Sequence, residues 1–131
     1  MPCSFAFDAR RGLMILRGSG RLCYLELLEA RARGGSHPAF DPACPTLVDF
    51  REVTEFERRP LLIRDMAERP IVARDARIAI LTPPVPQWGM ARLFVAYAQL
   101  MGRPVEMFTD LEDAERWLGV APAADSNSAS A

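Results

Sequence analysis

After an opening pair of apolar stretches joined by a tight turn, this chain never again sets two strand-like segments side by side. Phe5-Ala6-Phe7-Asp8 and Gly12-Leu13-Met14-Ile15-Leu16-Arg17 read as strands, with Ala9-Arg10-Arg11-Gly12 supplying a short hairpin connection. From there the pattern runs helix, strand, helix, strand, helix, strand, helix. Strands separated by helices are joined as parallel neighbours, because the helix carries the chain back along the sheet to start again at the same end. The order predicts an α/β fold: an N-terminal β-hairpin leading into a mostly parallel five-stranded sheet with about four helices.

The segments follow from local chemistry. Leu13 to Leu16 is apolar on both faces, as an interior strand requires. Gly18-Ser19-Gly20 then breaks the strand, and Ser19 is placed to cap a helix over about residues 21–33, stopped by Gly34-Gly35. A third strand covers 46–51, and Pro60 suits the first position of a second helix, where its missing N–H is no loss. Residues 76–82 make the fourth strand, and Pro83-Pro84-Val85-Pro86 is a stiff extended connection. The third helix is expected over Gln87–Met101, with Met90, Leu93, Phe94, Tyr97 and Met101 at helical spacing. Ala91, Val95, Ala98 and Leu100 make its other faces apolar too, more than one contact face needs. Residues 104–108 form the fifth strand, and Asp110 caps a short helix, Leu111–Leu118, closed by Gly119. Residues 1–119 read as one domain, and 120–131, rich in Ala and Ser, as a disordered tail.

Composition narrows the function. A chain of 131 residues is long enough to bury roughly two-thirds of its unfolded surface in one core. A net charge of −1 supplies no cationic field for nucleic acid or anionic lipid, so neither is an expected partner. All 16 basic residues are arginine, so an arginine at any one position carries little information. No basic-then-apolar leader opens the sequence. The longest strongly apolar stretch, 93–101, falls short of the ~18–20 residues of a transmembrane helix. Cys3, Cys23 and Cys44 are odd in number and form no CxxC pair, which points to a reduced, cytoplasmic setting.

Arg17-Gly18, Pro38-Ala39-Phe40-Asp41-Pro42, Leu47-Val48-Asp49-Phe50-Arg51, Trp88-Gly89-Met90-Ala91-Arg92-Leu93-Phe94 and the ending Val105–Gly119 occur in a definite order. Together they resemble the SpoIIAA-like superfamily. It includes STAS domains, the anti-sigma-factor antagonists, and more distantly CRAL-TRIO lipid-binding domains. The likeness is nearest to small bacterial proteins of unestablished function, and it implies that fold and a role in binding. The antagonists carry a phosphorylatable serine or threonine in an Asp-Ser-Ser-Gly-like turn after the third strand. Here the stretch is Arg51-Glu52-Val53-Thr54-Glu55-Phe56, and Thr54, flanked by two glutamates, is its only hydroxyl. The resemblance therefore does not extend to the phospho-switch.

Catalytic and metal chemistry find no support. One histidine, His37, and scattered cysteines lack zinc-site spacing, and there is no Gly-x-Ser-x-Gly elbow. Cys44, without a basic neighbour, reads as inert. Gly18-Ser19-Gly20 could present helix N–H groups to an anion, although Cys23 stands where a dinucleotide fingerprint needs Gly or Ala. The remaining argument is positional. Ligands of parallel α/β sheets gather beyond the carboxyl ends of the strands, which should collect Ser19, Asp49, Arg51, Thr82, Trp88 and Arg92. Arg92 is expected to pair with Asp49 or with a bound anion. Trp88 is expected at the rim and Trp117 in the core.

The expected function is thus a non-enzymatic cytoplasmic regulatory or protein-interaction domain of STAS-like type, without cofactor or metal. It would bind a protein partner or pair with itself through the Gln87–Met101 helix. The alternative is a module binding a small apolar, lipid or anionic ligand in the strand-end pocket, which should then show a cavity of roughly 300 Å³ near Trp88.

Overall fold

A computed structural model describes residues 3–69, 71–84 and 88–122. Along them the chain forms β1 (Cys3–Asp8), β2 (Leu13–Leu22), α1 (Tyr24–Gly35), β3 (Thr46–Phe56), α2 (Pro60–Glu68), β4 (Ile78–Leu81), α3 (Gly89–Leu100), β5 (Val105–Phe108) and α4 (Leu111–Leu118). The five strands lie in one sheet in the order β1-β2-β3-β4-β5. β1 is antiparallel to β2, and every other pair is parallel. This is the α/β architecture that the alternation of segments demands.

Because side chains alternate across a sheet, each interior strand feeds two cores. Met14, Val48, Phe50, Ile78 and Ile80 face the larger one, which is closed by α1, α2 and α3 together. Leu13, Ile15, Leu47, Ala79 and Leu81 face the other way and meet α4, through Ala114 and Leu118. The sheet is therefore covered by three helices on one face and by one on the other.

β2 and β3 run well beyond β4 and β5, and here the structure departs from the sequence reading. Gly18-Ser19-Gly20 does not end the strand. It lies inside β2, whose pairing with β3 shifts register at Arg17/Ser19 and again at Gly20/Arg21. Gly20 takes φ +62, which a bulge of this kind needs and which glycine adopts without strain. Ser19 is consequently not a helix cap. α1 starts later, at Tyr24, and its first N–H groups are already taken by carboxylates. Cys23 N donates to Glu26 Oε1 (3.0 Å) and Tyr24 N donates to Glu57 Oε1 (2.8 Å). An anion at this helix start would meet negative charge, so the anion site considered for Gly18-Ser19-Gly20 is not built. Gly34-Gly35 does not halt α1 before Gly34 either: both residues are helical, and Gly34 lies against Phe5, where an added Cβ would sit 2.7 Å from the ring.

The other signals hold. Pro60 opens α2, and Asp110 caps α4 by accepting from Glu112 N (2.8 Å). The hairpin turn is tied to α4 by a buried cluster, Arg11 Nε to Asp8 (2.8 Å) and Arg11 Nη1 to Glu115 (2.7 Å). Beyond Gly119 the chain stays attached for a short way, since Val120 packs on the smaller core and Ala121 O accepts from Arg11 Nη1. The expectation of a disordered tail otherwise falls mostly on 123–131, outside the described residues.

Candidate functional site

The six residues expected at one strand-end site are divided by the sheet. A doubly wound sheet opens a crevice where strand order reverses. Here successive strands from β2 to β5 add on in one direction, and no reversal exists. Asp49 and Arg51 extend from β3 on the α4 side. Asp49, only 8% exposed, accepts from Arg51 Nε (3.0 Å), Arg51 Nη2 (2.9 Å) and Arg51 N (3.1 Å), with Arg17 at 3.9 Å. Burial opposes its ionisation, but these hydrogen bonds outweigh it and hold the carboxyl below its ordinary value. Ser19 joins them, and a cleft of about 310 Å³ is lined by Ser4, Arg17, Gly18, Ser19, Asp49, Arg51 and Glu52. Its two guanidiniums are balanced by two carboxylates, so it offers an anion no net attraction.

Thr82, Trp88 and Arg92 lie elsewhere. Thr82 is buried, and its N–H donates to Phe108 O (2.9 Å). Trp88, 6% exposed, stacks on Phe50 with centroids 6.4 Å apart and rings 14° from parallel, so it belongs to the larger core and not to a rim. Arg92 is exposed on α3, and the carboxylate proposed for it, Asp49, is engaged by Arg51 and Arg17 instead. The expected contrast between the two tryptophans is reversed. Trp117 is half-buried, tilted on Phe108, with the Arg77 guanidinium over its ring at 5.4 Å.

A second cavity, of about 120 Å³, lies between the sheet and α1, α2 and α3. Met14, Leu16, Val48, Ile78 and Ile80 form its floor, and Leu27, Ile63, Met66, Met90 and Phe94 its roof. Its position along the larger core is set by β-strand alternation below and helical periodicity above. Two polar residues border it. Thr46 Oγ1 is buried with no hydrogen-bond partner among the described residues. Arg31, on α1, is half-buried, and burial lowers its pKa. Periodicity marks all the apolar residues here as core, but cannot say whether facing side chains close up. That is decided by which helix stands over which strand.

Two of the thiols are chemically quiet. Burial pushes Cys3 up to about 11 and raises Cys44, so both stay protonated. Among the described residues no group of three or more His, Cys, Asp or Glu could hold a metal ion, and no helix is long and apolar enough to cross a membrane.

Searches for similar proteins match no family model and no curated protein. A solved structure does match: an uncharacterised protein of the DUF3478 family with a SpoIIAA-like fold, from Shewanella loihica PV-4. The TM-score is 0.52 over 88% of this chain and 91% of that one, at 17% identity. This chain has the SpoIIAA-like fold. The side chains that line the cavity are this chain's own.

Proposed function

We propose that this SpoIIAA-like chain is a non-enzymatic domain that works by binding, and that it holds a small apolar molecule between its sheet and its helix layer. The observation that carries this is the cavity of about 120 Å³ walled by Met14, Val48, Ile63, Ile80, Met90 and Phe94. Protein interiors are packed to near-crystalline density, and an apolar void approaching ~150 Å³ stays dry and takes up benzene or xenon. It is smaller than the roughly 300 Å³ expected of a drug-sized site, and Trp88 does not line it, so the ligand is small.

Pairing through α3 has less behind it. Of the residues that make the other faces of α3 apolar, Ala91 and Ala98 are buried and Val95 is partly buried against the larger core. Leu100 stands out at 83% exposure, but the other widely exposed leucines, Leu25 and Leu61, belong to different helices. A phospho-switch has less still: Thr54 lies within β3, where the antagonists have a turn.

Benzene titrated into methyl-labelled protein tests the reading. The Val48, Ile63, Ile78 and Ile80 methyl signals should move together and saturate. Movement confined to Leu25, Leu61 and Leu100 would reject the cavity as a site.

A further inference from the structure

The two spaces in this fold are chemical opposites. The cleft on the α4 side is walled mostly by polar groups, Arg17, Asp49, Arg51 and Glu52 among them. The cavity under α1, α2 and α3 presents almost no polar surface. Arg31 and Thr46 border it, but the Arg31 charge interacts with Tyr24 and Asp65, and neither residue makes the wall polar. The sheet stands between the two spaces, so a guest under the helices is cut off from the guanidiniums on the other face. Met14, Met66 and Met90, one each from β2, α2 and α3, bring thioethers to the lining, and a thioether is a weak acceptor and no donor. A hydroxyl, amine or carboxylate carried into such a space gives up its hydrogen bonds to water and gains none. A bare carbon skeleton meets no such penalty. Its release from water favours binding, and unbranched methionine side chains can shift to follow its outline. Shape is thus a loose criterion at this wall, and polarity a strict one.

Building on the cavity reading above, we propose that the ligand is an unfunctionalised hydrocarbon or apolar gas, and that the cavity rejects alcohols, amines and acids built on the same skeleton. Val48 is a position that sets this selection. It lies in β3, between β2 and β4, and forms part of the cavity floor. Threonine there would keep the branched shape and put a hydroxyl in place of one methyl group.

Benzene and phenol, which share a ring and differ by one hydroxyl, separate the two claims when titrated by calorimetry into the chain. Benzene should bind at least about tenfold more tightly, since phenol must bury a hydroxyl without a partner. Val48→Thr should narrow that preference by supplying the partner, whereas Val48→Ala, which adds room and no polar atom, should keep it. If Val48→Thr does not fold, the preference in the unaltered chain already decides. Equal binding of the two probes, or a preference that Val48→Thr leaves unchanged, overturns the selection and leaves the apolar cavity standing. Binding of neither probe overturns both.

Discussion

Trp88 and Trp117 show how little a tryptophan's sequence surroundings say about its depth. Trp88 follows a proline-rich connection and precedes a glycine, the setting of an exposed helix start, yet it is stacked on Phe50 inside the larger core. Trp117 completes a helix with a clean apolar side, yet Ala114 and Leu118 take the buried positions and Trp117 lies half outside, under Arg77. Trp88→Ala should therefore destabilise the fold by about 3–5 kcal/mol, as other large-to-small core changes do. Trp117→Ala, which loses a partly buried ring and a cation–π contact, should cost about 1–2 kcal/mol. Urea denaturation of the two variants checks the order, and a larger loss at Trp117 would contradict it. Of the six expected site residues, Ser19, Asp49 and Arg51 do share a cleft. Their nearness follows from pairing of β2 with β3, which strand patterning could anticipate. Trp88 and Arg92 fall on the other side of the sheet, because they sit at the start of α3, whose side is set by the crossover from β4 to β5.

At the scale of elements, the hairpin, the alternation, the Pro60 start and the Asp110–Gly119 caps were legible because each rests on local chemistry. The start of α1 was not, since Gly-Ser-Gly signals a break equally well whether the chain turns into a helix or bulges within a strand. The Arg11 cluster was hidden for a different reason. Charged residues in a hairpin turn look solvated, and the partner that buries Arg11 lies on α4, 104 positions away. The Arg11 and Glu115 side chains are 7% and 4% exposed, so removing Arg11 takes the guanidinium away from both Asp8 and Glu115 in a dry setting. Arg11→Ala should cost about 3–5 kcal/mol. Arg11→Met combined with Glu115→Leu should cost less than Arg11→Ala alone, because no charge is left buried on α4. Thermal unfolding of the single and double variants measures this, and a loss below about 1 kcal/mol for Arg11→Ala would mean the cluster does not hold the hairpin to α4.

For the whole molecule, carboxyls held below their ordinary values make stability depend on acid, Asp8 and Asp49 among them. Hydrogen bonding from Arg11 lowers Asp8, and the Arg51 hydrogen bonds, against the opposing effect of burial, lower Asp49. Both bind protons more weakly folded than unfolded, so their contribution is complete above the ordinary value of 3.8 and is lost as pH falls through the lower folded values. Denaturation midpoints should be flat from about pH 7 to 5 and fall steeply below about pH 4. Asp49→Asn should reduce the fall, and an unchanged acid slope in that variant would remove Asp49 from the account. The cavity also belongs to this scale, since no single element contains it: it exists only where three helices stand over four strands. Diffraction from crystals held under xenon tests it most directly. The account predicts a bound xenon atom among Val48, Ile63, Ile80 and Met90, with the surrounding backbone unmoved. Well-diffracting crystals with no xenon there, and side chains closed across the space, would contradict it.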